Sequence, residues 1–157
     1  MLTIYIDGDA CPVKQEAFRV AKRYDLEVVV AVNRPMQLPT ADKVRLVVVP
    51  GGFDAADDWV AGHAGFGDIV ITADIPLAGR CLKVGAHVLG PTGREFTEDG
   101  IGEALATRTV MDLHRQLGEL TGGPAAMDDR SRSRFLSKLD ELVNRIRKDQ
   151  KDSQAQT

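Results

Sequence analysis

Acidic residues stand at three separate places along the chain where strands are predicted to end or helices to begin. Asp7 and Asp9 follow the first apolar run, and Asp74 closes a later one. Asp57 and Asp58 lie on a predicted helix between those two runs. Because the carboxyl ends of parallel strands share one edge of a sheet, where ligand sites form, we expect these segments to deliver carboxylates to one small volume.

Such a cluster of carboxylates favours the binding of a hard cation. Two carboxylates ~4 Å apart repel by about 4 kcal/mol at an effective dielectric of 20, so they must take up protons, separate or bind an ion. Oxygen ligands suit Mg²⁺ or Mn²⁺, which can activate water for attack on phosphorus. The alternative is that single aspartates cap helices or form turns. Asp54 is expected to cap the helix that carries Asp57 and Asp58, and the pattern leaves open which of those two faces the site.

Cationic and amide side chains near the same edge are candidates for binding phosphate groups. Lys14 lies one turn into the first predicted helix, and Asn33 and Arg34 follow the second apolar run. A further set at the start of the last predicted helix consists of Arg130, Arg132 and Arg134. Arginine can hold a phosphate through two parallel hydrogen bonds. The alternative for each set is an ordinary solvated helix face.

The elements that must position these residues alternate between strands and helices. Apolar runs predict strands at 2–6, 26–32, 44–49, 69–72 and 86–89, and helices are expected at 12–24, 54–63 and 77–84. Strands separated by helices of this length indicate a parallel sheet that is covered on both faces. We therefore predict the α/β class, with three layers around a central, mostly parallel sheet.

Two C-terminal helices are predicted in the second half of the chain. Residues 97–120 form the first, the segment 121–124 (Thr-Gly-Gly-Pro) interrupts it, and residues 128–148 form the second. Apolar residues of the second helix, including Phe135 and Leu139, recur at a 3.6-residue period. We expect one domain over 1–149, with an α/β core at 1–96 and a helical part at 97–149. The polar residues 150–157 are expected to form a frayed, disordered tail.

Composition excludes several classes of protein. The 157 residues carry a formal net charge of -3, which excludes an overall basic, histone-like binder but not a locally basic groove. No apolar run approaches the ~20 residues of a membrane span, and the first residues lack the basic segment of a signal peptide. Cys11 and Cys81 are too few for a disulfide scaffold. We expect a cytoplasmic protein with reduced cysteines and no membrane partner.

Several of these residues belong to longer motifs. They are Asp-Gly-Asp-Ala-Cys-Pro-Val-Lys at 7–14, Asp-Ala-Ala-Asp-Asp-Trp at 54–59, Asp-Ile-Val-Ile-Thr-Ala-Asp-Ile-Pro-Leu-Ala at 68–78, Leu-Ala-Thr-Arg at 105–108, Thr-Gly-Gly-Pro at 121–124, and the segment 129–139. Together they resemble the bacterial YaiI/YqxD family over nearly the whole chain. That family looks like a branch of the PIN-like nuclease fold, which places acids after the first strand, on a mid-chain helix and in a Thr-x-Asp after the fourth strand.

The resemblance implies specific roles for residues of this chain. The metal ligands would be Asp7, Asp9, Asp57 or Asp58, and Asp74, with Thr72 hydrogen-bonded among them. Two positions depart from the pattern. Gly8 stands where relatives usually have Ala, and the mid-chain acid is Asp rather than the Glu common in PIN domains.

Three functional hypotheses follow. The leading one is a divalent-metal-dependent phosphodiesterase, expected to be a ribonuclease, in which Asp7, Asp58 and Asp74 hold Mg²⁺ or Mn²⁺, Asp9 orients the first or a second ion, and water attacks without a covalent intermediate. The first alternative is a haloacid-dehalogenase-like phosphomonoesterase that uses Asp7-Gly8-Asp9 as its Asp-x-Asp motif. Its later acidic pair would have to follow Thr72, whereas Asp57 and Asp58 precede it. The second alternative is a non-catalytic, metal-dependent RNA-binding module.

Overall fold

Six strands form one sheet, and helices cover both of its faces, in the part of the chain that the computed structural model describes. That part comprises residues 2–38, 41, 43–52, 54–101 and 128–155. The strands are β1 (Thr3–Asp7), β2 (Glu27–Val32), β3 (Val44–Val48), β4 (Ile69–Ile71), β5 (His87–Leu89) and β6 (Glu95–Phe96). The helices are α1 (Lys14–Arg23), α2 (Ala55–His63), α3 (Ile75–Lys83) and α4 (Asp129–Ala155). The predicted α/β class is confirmed.

The order of the strands places β1 and β4 side by side in the middle of the sheet. The order is β3-β2-β1-β4-β5-β6, and every pair is parallel except β5 with β6. The chain runs outward from β1 through β2 to β3 and then continues on the other side of β1 with β4. Such a reversal is a topological switch point, where ligand sites of open parallel sheets form. Asp7 ends β1 and Asp74 follows β4, so both acids stand at this point.

The two faces of the sheet are buried by different helices. On one face Ile4 and Ile6 of β1 belong to a cluster that includes Val20 of α1 and Phe135 of α4, all at most 1% exposed. The other face is covered by apolar residues of α2 and α3, including Val60 and Leu77. Because both faces are covered, the central strands are apolar at nearly every position, as in other buried parallel sheets. The structure therefore has the three predicted layers.

The helices differ from the predicted boundaries at several ends, and α1 begins at Lys14 rather than at residue 12. Helix α3 begins at Ile75, before the expected start at Leu77, because Asp74 caps its first turn. Helix α4 continues to Ala155, past Gln150, where a frayed end was expected. No Gly or Pro interrupts residues 128–155, and several of the last residues are good helix formers, which explains the extension.

One further prediction can be compared with the structure only in part, and one observed strand was not predicted. Residues 98–101 are helical, as expected for the start of the helix predicted at 97–120, but most of that helix and the break at 121–124 lie outside the described residues. The short strand β6 has no counterpart among the predicted strands, because two residues show no periodicity. Within the described ranges, no helix has the length and apolar character needed to cross a membrane.

A candidate acidic site at the carboxyl edge of the sheet

A chain of hydrogen bonds joins the ends of β1 and β4. The hydroxyl of Thr72 donates to Oδ2 of Asp7 at 3.0 Å, and the backbone N–H of Asp74 donates to Oγ1 of Thr72 at 3.0 Å. Thr72 is 2% exposed, the one buried polar or charged residue of the described chain. Its hydroxyl therefore uses its one donor on Asp7 and accepts one hydrogen bond in return, which orients the Asp7 carboxylate.

Asp74 both caps a helix and belongs to the acidic cluster, two roles that the sequence analysis treats as alternatives. Its Oδ1 accepts a hydrogen bond from the backbone N–H of Leu77 at 2.9 Å, which caps α3. Capping of this kind uses one carboxylate oxygen and satisfies a donor of the first turn. The same carboxylate is close enough to Asp7 to raise the pKa of that group.

Asp57 is the acid of α2 that joins this cluster. Burial raises its pKa to about 7, with further contributions from the negative charges of Asp7 and Asp74. Burial also raises the pKa of Asp7, although the hydrogen bonds from Thr72 and with the Asp57 carboxyl oppose that shift. Carboxyl groups from β1, α2 and the turn before α3 therefore lie within electrostatic range of one another, and near neutral pH Asp57 carries a proton for part of the time.

Asp58 lies outside the cluster. Its Oδ1 contacts Nη1 of Arg80 at 2.7 Å, and its side chain is 64% exposed. Successive residues of a helix are about 100° apart, so two neighbouring acids cannot both face the sheet. Because Ala56 and Val60 are the buried residues of α2, Asp57 lies beside the buried face and Asp58 opposite it. The expected ligand role of Asp58 does not match this placement.

Asp9 connects the ends of β1 and β2 at the carboxyl edge of the sheet. Both of its carboxylate oxygens accept from the backbone N–H of Asn33, at 3.1 and 3.0 Å, which ties the turn after β1 to the end of β2. Gly8 avoids a close contact in this turn, because a Cβ there would lie 2.5 Å from Cγ1 of Val30. Asp54 occupies the N-cap position of α2, but its side chain makes no capping hydrogen bond.

The predicted phosphate-binding cations fall into two groups: two contact backbone carbonyls, and three are exposed. Nζ of Lys14 donates to the carbonyl of Cys11 at 2.8 Å, and Nη1 of Arg132 donates to the carbonyl of Pro12 at 2.8 Å. Arg132 thus brings the start of α4 against the segment that follows Asp9. The other three, Arg34, Arg130 and Arg134, are exposed. None of the contacts found among the described residues joins them to the acidic cluster.

The donor chemistry of the cluster fits a hard divalent cation, although its present arrangement is not a finished metal site. Within the described part of the chain, no group of three or more His, Cys, Asp or Glu side chains already has metal-holding geometry. The carboxyl groups of Asp7, Asp57 and Asp74 are nevertheless oxygen donors of the kind that Mg²⁺ and Mn²⁺ prefer. Burial is the main cause of the raised pKa of Asp57, and the charges of Asp7 and Asp74 contribute to it; a cation would offset both the burial of the carboxylates and their repulsion.

Arg80 is a residue of this edge that the sequence patterns do not single out. It lies on α3, and its guanidinium is held by Asp58 beside the cluster. A lone Arg on the polar face of a short helix belongs to no motif. The pairing depends on how α2 and α3 pack, so the sequence alone gives no indication of it.

The fold and this edge define an α/β protein with an acidic site at the switch point of its sheet. A family model described as "Uncharacterized BCR, YaiI/YqxD family" matches residues 5–145, so the chain belongs to that family, and the predicted resemblance is confirmed. Similar curated relatives are UPF0178 proteins of Rhodospirillum centenum and Rhodospirillum rubrum, 53% and 52% identical, each over 94% of this chain and 99% of the relative. A UPF0178 protein of Azorhizobium caulinodans is 50% identical over 94% of this chain and 92% of its own length. No solved structure matches the chain.

Proposed function

We propose that this protein is a divalent-metal-dependent phosphodiesterase that acts on RNA. The observation that carries the proposal is the convergence of Asp7, Asp57 and Asp74, from three separate segments, at the switch point of the sheet. Burial raises the pKa of Asp57 to about 7, and the negative charges of Asp7 and Asp74 add to that rise. Structural caps would be satisfied singly by backbone donors, whereas Asp57 is held near other carboxyl groups at an electrostatic cost.

Each residue of the cluster has a distinct task in this proposal. Asp7, Asp57 and Asp74 would hold Mg²⁺ or Mn²⁺, and the ion supplies an activated water and stabilises charge on the phosphoryl group. Thr72 orients the carboxylate of Asp7 through its hydroxyl. The backbone N–H of Asp74 orients Thr72 in turn. Asp57 releases its proton when a cation occupies the cluster, because positive charge stabilises the ionised carboxylate.

RNA is proposed as the substrate because of the resemblance to PIN-like nucleases and because Arg132 lies next to the acidic edge. Its contact with the carbonyl of Pro12 places a positive charge beside the segment that follows Asp9. The predicted partners Lys14, Arg34, Arg130 and Arg134 would extend this charge along the same end of the molecule. Positive groups around an acidic centre are needed to attract a polyanion.

The test is cleavage of single-stranded RNA with Mn²⁺ or Mg²⁺. We expect Asp7→Asn and Asp57→Asn each to lower the rate at least ~100-fold, as expected for removal of a group that holds the activating ion. Asp25→Asn is the matched control. Asp25 is exposed, carries a Lys43 ion pair and adopts a positive φ that Asn tolerates, so activity should be unchanged.

The outcomes distinguish the three hypotheses. Unchanged rates in both cluster variants would remove these acids from the reaction. RNA binding that persists in EDTA, with no cleavage in any metal, would favour a non-catalytic module. A trapped phosphoaspartyl intermediate would favour the haloacid-dehalogenase-like mechanism.

A further inference from the structure

Arg80 and Asp58 form an ion pair between the two helices that flank the acidic site. Nη1 of Arg80, on α3, lies 2.7 Å from Oδ1 of Asp58, on α2. The same two helices supply Asp57 and the Asp74 cap of the cluster. Both Asp58 and Asp57 raise the pKa of Arg80, so the guanidinium lies within electrostatic range of the cluster. The pair therefore stands at the rim of the proposed site.

The guanidinium of Arg80 retains hydrogen-bonding capacity that faces solvent. Arginine has five N–H donors in a rigid fork. Its side chain is 52% exposed, and among the described residues Asp58 is the side chain that it contacts, through Nη1. Lys14 and Arg132, by contrast, each donate to a backbone carbonyl of the segment after β1. Arg132 also lies 3.5 Å from Oε1 of Glu16 and is less exposed than Arg80, so Arg80 has more donors left for an anionic ligand.

The acidic edge needs such a cation if its ligand is a polynucleotide. Asp7, Asp9, Asp57 and Asp74 all lie at this edge, and their charges repel phosphates that no metal ion contacts. An ion pair with Asp58 limits the rotamers of Arg80, so less freedom is lost when it binds a phosphate. This also gives the two adjacent acids of α2 separate tasks.

We propose that Arg80, held in place by Asp58, binds a non-reacting phosphate of a polynucleotide that occupies the acidic site. This inference rests on the proposed function and adds a second contact to it. Asp58 is then a positioning residue for Arg80 rather than a ligand of the metal ion.

The test measures binding rather than cleavage. A fluorescently labelled oligouridylate is titrated by anisotropy with Ca²⁺, a hard cation that also takes oxygen ligands, over a range of KCl concentrations, with wild type, Arg80→Gln, Arg80→Lys and Lys83→Gln. Lys83 is an exposed cation of the same helix and controls for the loss of one positive charge. We expect Arg80→Gln to weaken binding about tenfold, as for loss of a charged hydrogen bond. The slope of log K against log salt should fall by about 0.7, the value for one contact with a single strand.

The controls make the outcomes unambiguous. Lys83→Gln should leave the slope near the wild-type value, and Arg80→Lys should keep most of it while losing part of the affinity. Equal slopes for Arg80→Gln and Lys83→Gln would overturn the proposal, and so would a wild type that binds no RNA. Mn²⁺ should still raise the melting temperature of Asp58→Asn, and loss of that stabilisation would assign Asp58 to the ion instead.

Hydrolysis of bis(p-nitrophenyl) phosphate separates this inference from the proposed function. That substrate has no second phosphate, so Arg80→Gln should lower its hydrolysis much less than it weakens RNA binding, and the control Lys83→Gln should leave the rate unchanged. If the wild type hydrolyses this substrate but binds no RNA, the phosphodiesterase activity is supported and the proposed Arg80 contact is refuted. If the wild type binds RNA through Arg80 but hydrolyses neither substrate, the Arg80 contact is supported and the phosphodiesterase activity is refuted.

Discussion

Replacement of Asp57 by Asn should make the metal-free protein more stable at high pH. The pKa of Asp57 is raised from 3.8 to about 7 in the folded protein, so the native state holds a proton that the unfolded chain has lost. Stability that depends on this proton is fully present below pH 3.8 and is lost as the pH rises towards 7. Asn resembles the protonated carboxyl, because its amide can still donate to Asp7, and it does not ionise.

The magnitude follows from the size of the shift. The rise in the pKa of Asp57 from 3.8 to about 7 corresponds to about 4 kcal/mol of unfolding free energy, at 1.36 kcal/mol per pKa unit. Asp57 is only partly buried, so solvent screening reduces this value, and we expect about 1–2 kcal/mol. In a protein of this length that gain corresponds to a rise in melting temperature of roughly 2–8 °C.

The assay is thermal and urea unfolding of both proteins in EDTA from pH 4 to pH 8.5. The variant should match wild type at pH 4 and exceed it at pH 8. Added Mn²⁺ should stabilise wild type by about 2.7 kcal/mol at a hundredfold excess over Kd, and the variant much less. Asp58→Asn is the matched control, because it removes an exposed ion pair and should gain no stability at high pH. An Asp57→Asn variant that is no more stable than wild type at pH 8 would refute the reasoning.

Three further substitutions test the packing and hydrogen bonds around the site. Gly8→Ala should cost about 1–3 kcal/mol in urea unfolding, because its Cβ would overlap Cγ1 of Val30, and Val30→Ala should recover part of that loss. Thr72→Val should cost roughly 1–2 kcal/mol and lower RNA cleavage with Mn²⁺, because the carboxylate of Asp7 loses its donor. A full rate with this variant would show that Thr72 does not orient the site. Phe135→Ala should cost about 3–5 kcal/mol in calorimetry, because the side chain is fully buried between α4 and the sheet, and a smaller loss would mean that the core collapses around it.

Much of the fold was predictable because parallel strands that are buried on both faces leave long apolar runs. The run that becomes β2 is apolar at nearly every position, so the strand was predictable, whereas its place next to β1 was not. The position of Asp7 at the end of β1 was predictable for the same reason. The strand β6 and the end of α4 were not, because neither depends on an apolar pattern.

The choice between Asp57 and Asp58 shows where sequence reasoning stops. If Trp59 were the inward residue of α2, Asp58 would lie beside the buried face, about 100° away. The structure instead buries Ala56 and Val60 completely and leaves Trp59 half-buried, where it stacks on His63. A large aromatic side chain is the more obvious core candidate, but the smaller Ala56 and Val60, one turn apart, form the buried face of α2 instead. The rotation of α2 is therefore decided by packing against β1 and β2.

Folding and site formation are linked at this edge because the same atoms serve both. The carboxylate of Asp74 caps α3 with Oδ1, and its backbone N–H holds Thr72, which in turn holds Asp7. Removing Asp74 therefore costs a cap as well as a charge of the cluster, and a lower activity alone cannot assign it to the reaction. Asp57 makes no such capping contact in the described chain. Removal of its carboxylate therefore removes a partly buried negative charge and breaks no capping hydrogen bond. A substitution there that abolishes activity while raising stability would identify a residue kept for function at the expense of the fold.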